Sequence, residues 1–424
     1  MEQSSFPTNQ TRELMSYRKV TNCRICNSTD LFSYLELPDS PLCNNLSDVP
    51  WAEQDLYELK MLLCKNCFLS QLSVVVKPEV LYSNYAYKSS TSQTFKDHCY
   101  KMAVDIQSQF KLPDNPLVLD IASNDGCLLR EFKRAGFTRL IGFEPAKNIA
   151  NHETYKLDEL ICVVNDFFSE ETAKLVKGDD GGGRASVITA TNVFAHVDDL
   201  HDFLRGVKWF LHEEGIFVVE VPYLPNLMKN NQFDTVYHEH LSYFLLKPLL
   251  RLFEEHGLPI FKVEEYSIHG GSIRLYASKN YYQEDRSVSE LLEFEDVSGF
   301  YKVDTYIDFA ARTLRVAADL QIIMNFVKNS GKKVMGYGAS AKCISLINYL
   351  GLGDSIHSIV DDTPGKQGKF TPNSNLPIVD FSHFEKEKPD YILLTAWNFA
   401  SEMMAKTGHL GTKYIMPIPE PRII

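Results

Sequence analysis

Between residues 117 and 220 the chain alternates short apolar runs with amphipathic stretches, and no other feature limits its fold as tightly. Strands are expected near 117–121, 139–143, 160–164, 186–190 and 215–220, with helices near 126–136, 146–151, 168–176 and 198–211 between them. A strand, a crossover helix and a second strand run the same way in one sheet, so such a βα series implies a parallel sheet. Ahead of it the apolar spacing over 95–110 suits a helix, which Pro113 and Pro116 stop. A second series starts at Lys332, with strands near 332–336, 356–360 and 390–395. Between the two, 260–266 and 272–277 read as a strand pair joined by His269-Gly270-Gly271, and 286–329 as largely helical. The glycine-rich run 178–183 lacks the Lys-Ser/Thr pair of a phosphate-binding loop and reads as a flexible surface loop.

At 424 residues the chain exceeds what one hydrophobic core usually organises, and three domains are expected, at 1–80, 81–285 and 286–424. A formal charge of -12 and a pI near 5.5 provide no basic field for a nucleic-acid polymer, although a small anion needs only a local site. No run of 18 apolar residues offers a membrane span and the polar start lacks a signal-peptide core, so a cytoplasmic protein is expected. In that setting nine cysteines read as reduced thiols or metal ligands. Cys23-x-x-Cys26 and Cys64-x-x-Cys67 form two knuckles that complete a tetrahedral zinc shell. With no position left for water, that zinc stabilises and does not catalyse, compensating for the thin core of 21–80. Cys43 is a spare or a substitute ligand, and Cys99, Cys127, Cys162 and Cys343 read as small buried side chains.

Three strand ends carry matched chemistry. The run Leu117-Val-Leu-Asp120-Ile-Ala122-Ser-Asn124-Asp125-Gly126 is an apolar strand entering a turn of small residues and then a helix, which lets a ligand approach the backbone. Glu144 ends the next strand, where an acid can accept both hydroxyls of a ribose. Asn165, Asp166 and Phe167 end the third and could offer an amide, a carboxylate and a ring to adenine. Farther on, Tyr237-His238-Glu239-His240 packs four functional side chains together. It is not a zinc-protease helix, because position 242 is Ser. An extended segment would point Tyr237 and Glu239 one way and His238 and His240 the other, so all four share a pocket only if the chain turns. Gly336-Tyr-Gly338-Ala-Ser340-Ala, followed by Asp361-Asp362 at the next strand end, has the form of a dinucleotide fingerprint, for which NAD is the first ligand to consider. Trp397 and Asn398 follow the third strand of that series, where the indole could stack on a ligand or pack in the core.

The chain resembles the class I S-adenosylmethionine (SAM)-dependent methyltransferases, and more closely the sugar C-methyltransferases that carry an N-terminal zinc domain. The resemblance covers nearly the whole length. It rests on the two knuckles, Tyr85-Ala-Tyr87-Lys-Ser-Ser-Thr-Ser92, Asp120-Ile-Ala-Ser-Asn-Asp-Gly126, Asn192-Val-Phe-Ala-His196, Tyr237-His-Glu-His240-Leu-Ser-Tyr-Phe244, His269-Gly-Gly-Ser-Ile-Arg274 and Gly336-Tyr-Gly-Ala-Ser-Ala-Lys342. Asp120 stands where the family often carries Glu, and 179–183 is an insertion. The resemblance implies an α/β protein: a small zinc-binding domain, a central Rossmann-like SAM domain and a second Rossmann-like domain. It implies SAM held by Asp120, Ala122, Asn124, Asp125, Gly126, Glu144, 165–167 and Asn192. The substrate would be a nucleotide-linked 4-keto-deoxysugar, methylated at C-3 through an enolate. The base would be His240, with Tyr237 and Glu239 orienting the sugar and His196 and Tyr87 next in line. His269 and Arg274 would bind substrate, and the turn of Gly336, Gly338 and Ser340 with Lys342 would hold its pyrophosphate. A monomer or homodimer fits. Methylation of oxygen or nitrogen, or a non-catalytic zinc-ribbon interaction protein, are the competing readings.

Overall fold

The computed structural model describes residues 16–83, 85, 88–151, 158–176, 183–280 and 282–424, His269 by its backbone only. Tyr87 and all but the last residue of the 178–183 run lie outside the described residues. The first βα series forms five parallel strands: β1 (Leu117–Ile121), β2 (Arg139–Phe143), β3 (Ile161–Val164), β4 (Ala185–Thr191) and β5 (Leu211–Pro222). The pair β6 (Ile260–Tyr266) and β7 (Ser272–Ala277) extends this sheet antiparallel beyond β5, giving the order β6-β7-β5-β4-β1-β2-β3. Helices cover both faces, which is why the strands read as nearly continuous apolar runs. Val118, Val187 and Val218 pack under Gln93–Gln109 and Cys127–Arg134, while Leu119, Ile188 and Phe217 pack under Leu200–Phe210 and Leu246–Glu255.

The chain leaves β1 outward to β2 and β3, then returns to place β4 and β5 on the other side of β1. The connections on either side of that reversal diverge, opening a crevice at the carboxyl ends of the strands. All three matched strand ends open there.

The knuckles are not a separate bead. Cys23, Ile25, Cys64, Cys67 and Leu69 share one core with Leu200, Phe203 and Leu204 of the central domain. The N-terminal sheet contains Leu31–Ser40, Tyr57–Cys64 and Ser70–Leu72, and its fourth strand is Ser242–Tyr243, from directly behind the His240 segment. The C-terminal sheet has six strands, in the order Ile378–Val379, Ile359–Val360, Val334–Tyr337, Tyr391–Leu394, Lys413–Met416 and Arg422–Ile423, all parallel but the last. Sequence periodicity marks three of these; the others are too short or too polar to register. The helix Val303–Asn329 joins the layers, setting Tyr306 and Phe309 against the N-terminal sheet and Leu320, Met324 and Val327 in the C-terminal core.

Candidate active site

A cleft of about 1520 Å³ runs between the central and C-terminal sheets, with the zinc domain closing one side. On its central wall the turn after β1 takes left-handed conformations at Ala122, Asn124 and Gly126, so the chain folds back before the helix Cys127–Arg134 begins. Glu144 secures that turn. Its carboxylate accepts the N–H of Asn124 and the N–H of Ala146, each at 2.8 Å. Burial pushes Glu144 up to about 7, and no cation among the described residues offsets this. Asp120 accepts the Thr189 hydroxyl at 2.7 Å and is likewise pushed to about 7 by burial. Ala122, Asn124, Asp166, Phe167 and Asn192 join these two acids on the wall. Asp125 and Gly126 shape the turn from behind, with Asp125 accepting the Ser90 hydroxyl. Asn165 is committed to the backbone: its amide donates to the carbonyls of Glu144 and Pro145 at 2.8 and 3.1 Å.

The Tyr237–His240 segment does turn. The His240 N–H donates to the Tyr237 carbonyl at 3.0 Å, which brings Tyr237, Glu239 and His240 onto one wall. His238 is directed the other way, within 3.1 Å of the Glu58 carbonyl, and burial pushes it down to about 4. His240 Nδ1 lies 2.9 Å from the Thr235 carbonyl, which can only accept, so Nδ1 carries the proton. In the neutral ring Nε2 is then the lone pair, and the Tyr237 hydroxyl, 2.9 Å away, donates to it. Glu239 accepts the Asn44 amide at 2.6 Å and the Tyr85 hydroxyl at 3.0 Å, and burial pushes it to about 7. Burial first, and then Glu239, raises Tyr82, Tyr85 and Tyr237 well above the ordinary phenol range, so all three are held as O–H donors. His196 stacks on Tyr82 and lies 5.1 Å from the His240 ring; burial pushes it to about 4, so it is neutral. The arrangement sets an imidazole Nε2 against the Tyr237 hydroxyl, with the Tyr82 and Tyr85 hydroxyls bonded to Glu239 on the same wall, which suits removing a proton from carbon beside a developing oxyanion.

The four knuckle sulfurs lie within 4.8 Å of one another, with Cys23–Cys67 and Cys26–Cys64 each at 3.5 Å. Tetrahedral zinc with Zn–S bonds near 2.3 Å separates its sulfurs by about 3.8 Å, so the set fits that ion. Asn66 adds an amide donor to Cys26 Sγ at 3.4 Å. Cys43 is buried elsewhere, with Glu239 and Cys343 among the groups acting on it. Three family models match the chain: a zinc binding domain at residues 23–82, a methyltransferase domain at 96–263 and a C-methyltransferase C-terminal domain at 267–419. The C-methyltransferase NovU of Streptomyces niveus is 36% identical over 415 residues, 96% of this chain and 97% of that protein. This chain belongs to the C-methyltransferase family. It is a SAM-dependent enzyme with a four-cysteine zinc site. Solved methyltransferases overlap part of the chain loosely. Magnesium protoporphyrin IX methyltransferase of Synechocystis PCC 6803 covers 44% of this chain and 83% of its own, at 12% identity and a TM-score of 0.34. The glycopeptide N-methyltransferase MtfA covers 43% and 94%, also at 12% and 0.34.

On the far wall of this C-methyltransferase, Ser340 caps the helix Ala341–Leu350, accepting the Cys343 N–H at 3.2 Å. Lys342 sits 4.9 Å from the Trp397 ring centre, and the indole N–H donates to buried Asp234 at 2.7 Å. Burial pushes the Lys342 ammonium below its usual range and the Asp234 carboxyl above its own. Asn398 lines the same wall. Gly336 lies within its strand and Gly338 against Ala396, where an added Cβ would come to 2.8 Å of the alanine's. Arg274 is buried against Glu220 at 2.9 Å, off the cleft, and His98 completes that cluster at 2.9 Å from the same carboxylate. Asn44, Tyr82, Tyr85, His98 and Asp234 line or support the site without standing out in the sequence. Tyr85 alone had a signal, as a member of the Tyr85-Ala-Tyr87 motif.

Proposed function

We propose that the enzyme methylates the carbon next to the ketone of a nucleotide-linked keto-deoxysugar, C-3 of a 4-keto sugar. The reading is carried by His240, which lines the cleft with its Nδ1 proton committed to Thr235 and its Nε2 meeting the Tyr237 hydroxyl. In this scheme Nε2 takes the α-proton. For this the Tyr237 hydroxyl turns from Nε2 to the enolate oxygen, and the Tyr85 and Tyr82 hydroxyls, which donate to Glu239 in the free cleft, can turn with it; each such bond aimed at developing charge in a dry site contributes about 2–4 kcal/mol. Glu239 orients Tyr85 and the sugar. Asp120, Glu144, Asp166, Phe167 and Asn192 hold SAM, with Ala122 and Asn124 making room for it; bound there, SAM supplies the sulfonium methyl that the carbanion takes. Ser340 and Lys342, at a helix N-terminus, face the pyrophosphate, and Trp397 and Asn398 the sugar or base. Purified enzyme incubated with SAM and a panel of nucleoside-diphosphate 4-keto-deoxysugars should give one methylated product, located at C-3 by NMR. Deuterium uptake at the same carbon without SAM should accompany it. Methyl on oxygen or nitrogen, or no product from any keto-sugar, would overturn the reading.

A further inference from the structure

We propose that Arg24, inside the first zinc knuckle, is a positioning residue that keeps the two histidine-bearing segments of the active site in register. The inference rests on reading His240 as the base. Arg24 lies between two of the four zinc-site cysteines, yet its side chain runs inward and is only 3% exposed. Its Nη1 donates at 3.0 Å to the carbonyl of Leu241, the residue directly after His240. Its Nε donates at 3.2 Å to Asp198, which lines the cleft two positions past His196. One guanidinium therefore spans the backbone behind one histidine and the carboxylate behind the other, where the two rings approach to 5.1 Å.

The knuckle itself is held to the same strand. The Arg24 N–H donates to the Gln71 side chain at 3.1 Å, and Gln71 returns a bond to the Asn22 carbonyl at 3.1 Å. Leu72 N–H donates to the same Leu241 carbonyl at 3.0 Å, and Ser242–Tyr243 continues by pairing with Ser70–Leu72. Arg18 adds a second cation on Asp198 at 2.5 Å. A planar fork with separate, permanently charged donors can serve a carbonyl and a carboxylate at fixed directions, whereas a lysine offers one point donor. Zinc thus anchors the arm that sets the imidazoles, and the knuckle contributes to turnover as well as to stability.

The test uses full-length, zinc-loaded Arg24→Lys, Asp198→Asn and the double variant, with His240→Asn as reference. Each is checked for zinc content and melting temperature before methylation of the keto-sugar panel and α-deuterium exchange are measured. Arg24→Lys should keep its zinc and its KM for SAM while kcat falls about 10- to 100-fold, the scale of an ångström-sized misplacement, with exchange falling in step. Because both groups belong to one bridge, the double variant should be little worse than Arg24→Lys alone. Normal kcat in zinc-loaded Arg24→Lys, or losses that multiply in the double variant, would overturn the assignment. Should Arg24→Lys fail to fold, Asp198→Asn breaks the same bridge from the other side, and an unchanged kcat there overturns it equally. Normal turnover in His240→Asn would sink the base itself and this inference with it; an inactive His240→Asn beside a normal Arg24→Lys sinks only the role of Arg24.

Discussion

The central and C-terminal sheets end their first two strands in nearly the same way, yet the two turns are prepared for different work. In each, a carboxylate at the end of the second strand reaches back to the first turn. Glu144 accepts the N–H of Asn124 and its own i+2 N–H at 2.8 Å each; Asp361 accepts the N–H of Ala339 and its own i+2 N–H, from Thr363, at 2.7 and 2.8 Å. The difference lies in what stands over the acid. Lys366 covers the C-terminal turn, donating to the Ala339 carbonyl at 2.8 Å and lying 3.7 Å from Asp361. Glu144 faces the cleft with no such cation among the described residues. A nucleotide ribose would have to displace a buried ion pair at Asp361, whereas at Glu144 it meets a carboxylate still able to accept. A glycine-rich turn and a distant acid therefore identify an architecture, and the cation over the acid decides whether the ribose position is open.

The largest expected effect places the chemistry outside both turns. His240→Asn should bind SAM and nucleotide-sugar as the parent does, by calorimetry, while turnover falls about 10²- to 10⁴-fold, the range of a lost general base. Weakened binding of either ligand would blur the division between cradles and catalyst. Next, Glu144→Ala should raise the SAM dissociation constant about 10- to 100-fold, the loss of charged hydrogen-bond acceptance worth about 1.5–3 kcal/mol, while Asp361→Ala leaves it unchanged. Equal effects from the two acids would erase the difference between the two turns. Smaller again, Lys342→Met should weaken nucleotide-sugar binding about 10-fold, roughly one charge-assisted phosphate contact, with SAM affinity intact. Measurable NAD affinity in the parent would show that the C-terminal turn is open after all.

The smallest effect is in pH. Asp120 and Glu144 ionise near 7 in the fold against 3.8 and 4.5 ordinarily, so between about pH 4.5 and 7 the native state holds more protons than the unfolded chain. Their contribution to stability is therefore greatest below that window, declines as pH rises through it and levels off above 7. Chemical denaturation across pH 5–8 should show that decline flattened in Glu144→Gln. SAM affinity should change in the opposite sense, strengthening as Glu144 ionises, and an affinity flat across pH 6–8 would take the ribose contact away from Glu144.

Much of this was legible from residue order, and the elements that were share a property. Each strand of the first βα series needs only a short apolar run bounded by polar residues, so β1 and the pair β6 and β7 can be read to the residue. The zinc site needs two pairs of cysteines, each two residues apart. The cleft side chains of the catalytic segment were harder, because period-2 geometry places Glu239 opposite His240, and only the Tyr237–His240 turn unites them. Arg274 shows the limit from the other side: a charged residue in a family motif, which the fold commits to Glu220 and keeps from the cleft.

Local chemistry along the chain by itself determined the two βα series, the acid at each second strand end, the zinc ligands and the dense Tyr237–His240 segment, because these depend on neighbours within a few positions. Tertiary structure alone decided which of those groups meet. Asn44 reaches Glu239 across 195 positions, Arg24 reaches Leu241 across 217, and Trp397 reaches Asp234 across 163. Such contacts leave no period in the sequence, since each depends on how three separately coded layers pack and not on any interval between the partners. The same packing buries Glu239, His196 and His238 and so sets which protons they hold at neutral pH. Burial of that kind is a property of the assembled cleft, which no residue carries alone.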